Sequence, residues 1–174
     1  MIELLPMTPE FLEAVLADRR EEAERLLHTE LPSEFPTEGE RRFLSMRLRQ
    51  MHEDTRFQTW CPHAIVLDRQ MIGHAGYHGP PGINAADEPD AVECGYTVFA
   101  PWRGRGYATE AVRMLMGIAE ERAGVRHFVL SVSPTNEPSL AIVHKLGFAR
   151  TGERLDEEDG LEHVFQLRRD ASLR

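Results

Sequence analysis

The stretch Val98-Phe99-Ala100-Pro101-Trp102-Arg103-Gly104-Arg105-Gly106-Tyr107-Ala108-Thr109 decides how this chain is read. Before it, Val92, Cys94, Tyr96 and Val98 alternate with Glu93, Gly95, Thr97 and Phe99, the two-residue period of a strand. After it, Ala108, Ala111, Val112, Leu115, Ile118 and Ala119 recur at helical spacing. Two glycines and two arginines therefore sit at the joint between a strand and an amphipathic helix. The first N–H groups of a helix have no intrahelical partner and lie at the positive end of its dipole, so such a joint can take an anion. Glycine lets an anion approach the backbone closely. Arg103 and Arg105 add charge-assisted hydrogen bonds, each worth about 1.5–3 kcal/mol when partly shielded. The competing reading is a plain tight turn with both arginines in solvent.

Two phosphate fingerprints are excluded here. Gly-x-x-x-x-Gly-Lys-Ser/Thr is absent. Gly104-x-Gly106-x-x-Thr109 lacks the third glycine or alanine of a dinucleotide site. The acidic residue expected about 20 positions further on falls near Val129, in a strand without a carboxylate.

Outward from this joint the chain reads as one mixed α/β domain over residues 1–174. Thr8 caps a helix carrying Phe11, Leu12, Val15 and Leu16. The charged stretch Asp18 to Arg25 continues or restarts it, and a second helix runs from Gly39 to Glu53. His63 to Leu67 and Met71 to His78 form a hairpin about Asp68-Arg69-Gln70, followed by a loop from Gly79 to Asp90. Arg126 to Ser133 is a strand, Glu137 to Leu146 a helix ended by Gly147, and Leu161 to Leu167 a last strand. Alternation of strands and helices in the second half implies a sheet with some parallel pairing and helices packed on it.

Composition sets the remaining bounds. The chain has 174 residues and a net charge of -9, from 29 acidic against 20 basic residues. That balance argues against nucleic acid or an anionic membrane as partner, because both need a basic footprint. No apolar run reaches the roughly 18 residues of a membrane helix, and the N-terminus lacks the pattern of a signal peptide. Cys61 and Cys94, two thiols outside any CxxC pair, fit the reducing cytoplasm.

Arg103-x-x-Gly106-x-Ala108 matches the (Arg/Gln)-x-x-Gly-x-(Gly/Ala) motif of the GCN5-related N-acetyltransferases, the GNAT superfamily. Asn136-Glu137-Pro138-Ser139 followed by Lys145-Leu146-Gly147-Phe148 matches a second element. Glu93-Cys94-Gly95-Tyr96 and Tyr107-Ala108-Thr109-Glu110-Ala111 also fit. Over residues 60–168 the chain resembles most the branch that acetylates ribosomal-protein N-termini and its small-molecule relatives. The resemblance implies a single α/β GNAT domain, with a mixed, mostly antiparallel sheet of about six or seven strands flanked by helices. It also implies an acetyl-CoA-dependent N-acetyltransferase, passing the acetyl group directly to a primary amine, a protein N-terminus or a small molecule. The same fold as a non-catalytic acyl-CoA-binding module is the alternative, and a nucleotide-binding domain is a further one. The enzyme is expected to be a cytoplasmic monomer or homodimer.

The resemblance also implies the site. Arg103, Gly104, Arg105, Gly106, Tyr107, Ala108 and Thr109 would hold the cofactor's phosphates. Val98 and Phe99 would lie beside its thioester, with a backbone N–H there as oxyanion donor. Asn136, Ser139 and Lys145 would complete the cofactor set. On the residues alone, Asn136 and Ser139 equally suit the cap of a helix.

Attack by an amine needs a base, because amines are mostly protonated at neutral pH. Glu93 is the candidate, placed by alternation on the face opposite the apolar residues and so expected toward a cleft or solvent. Val143 stands where many relatives carry a tyrosine, so either Ser139 or water returns a proton to the leaving thiolate, or no dedicated acid exists. His144 beside it is rotated by about 100° on the helix. Among the histidines, His63, His74 and His78 come from neighbouring strands. On a strand i and i+4 lie about 13 Å apart, too far for one metal ion, so no metal is expected. His74 or His78 could instead line the acceptor pocket. The acidic run Glu153 to Glu162 reads as a solvated hairpin.

Overall fold

The computed structural model describes residues 1–156 and 160–170. They fall into two compact units: Met1–Gly76 with Tyr96–Tyr107, and Tyr77–Gly95 with Ala108–Arg174.

In the first unit β1 (Glu3–Pro6) runs antiparallel to β2 (Pro62–Leu67), with Glu3 opposite Val66. The Thr8 hydroxyl accepts from the Phe11 N–H and starts α1 (Pro9–Leu16). The chain then restarts as α2 (Arg20–Leu27). Thr37 and Glu40 form a reciprocal capping box at the head of α3 (Glu38–Glu53), and α4 (Arg56–Thr59) is a single turn. β2 returns through Asp68 and Arg69, both at positive φ, into β3 (Gln70–Tyr77). Two such residues make the turn whose twist matches a hairpin. Phe11, Leu12, Val15, Leu44 and Met51 pack on Ala64, Val66 and Met71 as the core of this unit. Each fully buried large side chain contributes about 1.5–3 kcal/mol.

In the second unit the start of β4 (Ala91–Val98) pairs in parallel with β5 (His127–Val132), Ala91 to Glu93 facing His127 to Val129. α5 (Tyr107–Ala123) leads into β5, and buries Ala111, Val112, Leu115, Met116 and Ala119. The Tyr77 hydroxyl donates to the Leu115 carbonyl at 2.6 Å. α6 (Glu137–Leu146) is closed by Gly147 at φ +82 and is followed by β6 (Ala149–Asp156) and β7 (Gly160–Arg168). β7 is antiparallel to both β5 and β6. The strand order is β1-β2-β3-β4-β5-β7-β6, so the sheet is mixed and mostly antiparallel, as expected.

β1 escaped the sequence reading because four residues, Glu3–Pro6, show no alternation; the edge of β2 makes them a strand. β6 escaped it because its side chains are exposed on both faces as far as Leu155, which erases the period. The expected acidic hairpin is these two arms. Its residues 157–159 lie outside the described ones.

Candidate active site

The Arg103–Tyr107 turn follows a short 3-10 turn at Ala100–Trp102 and leads straight into α5. Gly104 and Gly106 sit at φ +75 and +84, where a side chain would be strained. A Cβ built on either glycine meets nothing within 4 Å, so the backbone faces open space. Arg103 folds back, its Nε donating to the Val98 carbonyl at 2.8 Å and tying the turn to the end of β4. The Arg105 guanidinium lies 5.4 Å over the Trp102 ring. Both arginines are exposed. A glycine cradle opening on a helix start, with two arginines at its rim, fits a diphosphate.

β4 prepares one amide. The Phe99 N–H is spent on the Ile72 carbonyl at 2.9 Å. N–H groups alternate along a strand, so the Val98 N–H points to the edge that β3 does not use. Pairing of β4 with β5 spans only Ala91–Glu93 among the described residues. Of the two residues expected beside a thioester, Val98 therefore offers the amide and Phe99 does not.

Glu93 does not face solvent or an open cleft. It is 2% exposed. Its Oε1 accepts from the Ser131 hydroxyl and its Oε2 from the Ala85 N–H, both at 2.7 Å. The cause is the 79–90 loop, which folds over this face of β4. Ala85 and Ala86 pack on Ala91, Val129 and Val164, and the Asn84 amide donates to the Ala91 and Glu88 carbonyls. Both faces of the strand's first half are covered, so alternation could not show which one carried the carboxylate.

On α6, Asn136 is the N-cap, its side chain accepting from the Ser139 N–H at 3.2 Å. Asn136 is exposed, Ser139 half-buried, and Lys145 is exposed in the last turn. The capping role expected of Asn136 is thus present. Val143 is fully buried while His144 is exposed and meets the Phe165 ring edge-on at 6.2 Å. His144 does not replace the side chain at 143. Burial pushes the Cys94 thiol up, which removes it as a nucleophile.

His74 is half-buried, stacked on Phe43 at 5.3 Å and edge-on to Phe99 at 6.3 Å. Burial depresses its proton affinity, opposed by the charge of Glu40. His63 is buried with Nδ1 at 3.0 Å from the Cys61 carbonyl. The ligand atoms that do converge belong to Glu88, Asp90 and His127, within 4.8 Å of one another, where Arg168 already pairs with both carboxylates. A cavity of about 240 Å³ among α1, α2 and the 31–36 loop is bordered by Arg20 and Arg41. Arg20 is engaged by the Leu31 and Pro32 carbonyls, and Arg41 by Asp18 and the Leu16 carbonyl.

Residues 2–149 match the family described as Acetyltransferase (GNAT) domain. The chain belongs to the GNAT family. A curated relative, the N-acetyltransferase 9-like protein of Nematostella vectensis, is 37% identical over 98 residues, spanning 51% of this chain and 50% of that protein. The chain thus aligns with about half the length of that relative. Two solved GNAT structures share the fold. The ribosomal-protein-S5-alanine acetyltransferase of Vibrio fischeri has a TM-score of 0.64 at 16% identity, covering 97% of this chain and 93% of its own. The aminoglycoside acetyltransferase AAC(6')-Ib in complex with coenzyme A has a TM-score of 0.63 at 19% identity, covering 97% and 95%.

Three residues of this GNAT domain that the sequence did not single out fix Glu93: Ser131 and Ala85 hydrogen-bond its carboxylate, and Asn84 ties down the loop that carries Ala85. The signal for Ser131 was weak but present, a lone hydroxyl in the apolar strand Phe128–Val132. Ala85 and Asn84 act through the fold of the 79–90 loop, and a backbone N–H leaves no mark in sequence. Among the described residues, no helix is long and apolar enough to cross a membrane.

Proposed function

We propose that this GNAT domain is an acetyl-CoA-dependent N-acetyltransferase that passes acetyl directly to a primary amine. The observation that carries the reading is the Arg103–Tyr107 turn, with Gly104 and Gly106 at positive φ, open space beyond them and the start of α5 behind. Gly104, Gly106, Tyr107, Ala108 and Thr109 would hold the diphosphate through backbone N–H groups, with Arg103 and Arg105 at the rim. Asn136, Ser139 and Lys145 on α6 complete the set. Acetyl-CoA supplies the acetyl group as a thioester.

The chain's own residues then do three things. The Val98 N–H is aimed to stabilise an oxyanion. Glu93 provides the negative charge that supports loss of a proton from the amine. Ser139 would return a proton to the leaving sulfur, because buried Val143 has no hydroxyl to do so. The acceptor is a protein N-terminus or a small-molecule amine, by kinship with relatives whose names span both. The reading takes residues 1–174 as one catalytic domain working in the cytoplasm, with no nucleic-acid or membrane partner.

Thermal unfolding with acetyl-CoA tests it. At one hundred times the dissociation constant the ligand adds about 2.7 kcal/mol, a rise of roughly 5–11 °C at this size. Arg105→Glu reverses a charge whose recorded contact is Trp102, so it should cut the shift and leave the unliganded Tm in place. No shift with millimolar acetyl-CoA would end the proposal.

A further inference from the structure

We propose that His78, not Glu93, is the group that takes the proton from the acceptor amine, with Glu93 as the residue that positions it. The inference rests on the acetyltransferase reading above. The two residues are opposite each other across the β3–β4 pair: the His78 N–H donates to the Glu93 carbonyl at 2.9 Å. Directly opposed residues of an antiparallel pair project to the same face. There, His78 Nδ1 lies 3.4 Å from Glu93 Oε1. A formed N–H···O bond is about 2.7–3.2 Å, so a small rotation of the ring closes this one. Such pairs commonly tighten only when substrate is bound.

Exposure separates the roles. The Glu93 side chain is 3% exposed and that of His78 is 52% exposed. Glu93 is pinned by Ser131 and Ala85 and has no path to an incoming amine without breaking those bonds. The imidazole does have one. A Cβ on Gly95 would come within 3.0 Å of His78 Nε2, so the ring lies along β4 from Glu93 toward Gly95. Its far nitrogen therefore lies on the Gly95 side of the Glu93 carboxylate, further along β4. Gly95 is therefore the space the ring occupies, which gives a physical reason for glycine in Glu93-Cys94-Gly95.

The chemistry follows from the donor count. A carboxylate is acceptor-only, so Glu93 fixes the neutral ring with its proton on Nδ1 and its lone pair on Nε2. An N–H bond of the acceptor ammonium breaks as the Nε2–H bond forms. The imidazolium produced is paired with Glu93, and its exposed edge passes the proton to water. A buried carboxylate orienting a more exposed imidazole is the base-and-orienter arrangement of triad enzymes, without a nucleophile.

The test uses thiol release from acetyl-CoA with four amines: an alanine-initiated tetrapeptide, lysine, spermidine and kanamycin. With the best of them, His78→Ala should lower kcat about 10²-fold or more, with acceptor KM and the acetyl-CoA thermal shift kept. Added imidazole should restore part of the rate. Glu93→Gln should lower kcat less, and long-range ¹⁵N spectra of His78 should show the proton redistributed from Nδ1 to Nε2. A purely structural role for Glu93 would not move that tautomer. Wild-type kcat in His78→Ala, or an unchanged His78 tautomer in Glu93→Gln, overturns the dyad. Wild-type protein that binds acetyl-CoA yet releases no thiol with any of the four overturns the enzyme reading and, with it, this role for His78. The tautomer spectra would still report separately whether Glu93 orients the ring.

Discussion

Two glycine-to-alanine substitutions on one helix should move stability in opposite directions. Gly106 stands just before α5 at φ +84, and Gly117 lies in its interior. At both, a Cβ meets nothing within 4 Å, so steric crowding is equal and absent. What remains is the backbone. An L-residue forced into the left-handed region costs about 1–2 kcal/mol, so Gly106→Ala should destabilise by that amount. In a helix interior alanine is better than glycine by about 0.8–1 kcal/mol, so Gly117→Ala should stabilise. For a chain of this size each kcal/mol moves Tm by about 2–4 °C. The expected changes are a fall of roughly 2–8 °C for Gly106→Ala and a rise of roughly 2–4 °C for Gly117→Ala. Urea denaturation with an unchanged m-value would show that both act on stability rather than on the unfolded chain's compactness. Under the acetyl-CoA reading, only Gly106→Ala should also weaken the cofactor's thermal shift. Equal signs for the two variants, or a neutral Gly106→Ala, would refute the claim that this turn is held by its left-handed glycines.

Two further outcomes are expected. Asn136→Ala removes the acceptor of the Ser139 N–H and should cost about 1 kcal/mol, while Asn136→Asp keeps the cap and the stability; Tm of the pair, set beside their acetyl-CoA shifts, separates capping from cofactor contact. Burial lowers the proton affinity of His74 in the fold, so below the ordinary imidazole value near 6.5 the unfolded chain binds more protons and stability falls with falling pH. His74→Phe, which keeps the stack on Phe43, should flatten that acid slope in denaturation series between pH 5 and pH 8, taken as about the titration range of imidazole; an unchanged slope would place its origin elsewhere.

The helices and the strand-to-helix joint were legible because each has a local cause. The apolar period of α5, the Thr8 cap of α1 and the two glycines of the turn are written within a few residues of where they act. β1 and β6 were not legible, since a strand at an edge is made by its partner. The acceptor side was the hardest to read. Glu93 was found by type and spacing, but its burial depends on Ala85, eight residues upstream, and on Ser131, 38 residues downstream. Val143 is a departure from the family pattern legible in sequence, while its full burial is set by the packing of α6. The net charge of -9 is compatible with an anionic ligand because charge acts locally at a site. From Phe99 to Leu115, arginines outnumber glutamates three to one.

β4 shows why alternation had to be resolved at the level of the peptide bond. Its side chains alternate between faces, and its N–H groups alternate between edges. The structure fixes the second alternation at two points six residues apart: Glu93 gives its carbonyl to His78, and Phe99 its N–H to Ile72. Odd-numbered residues from 93 to 99 therefore spend their backbone groups on β3, and Val98 directs its N–H to the other edge. Glu93 and Gly95 share one face, where the carboxylate of the first lies 3.4 Å from the His78 imidazole and the missing Cβ of the second leaves room for the ring. The Val98 carbonyl is held by Arg103, the first residue of the cradle motif. One strand thus carries the carboxylate that faces His78 on a face, the N–H that β3 does not use on an edge, and the carbonyl that Arg103 holds at its end. A one-residue slip of β4 against β3 would exchange its edges and faces together. Gly73 marks the close approach of the two strands in this register, because a Cβ there would lie 2.2 Å from the Thr97 carbonyl oxygen.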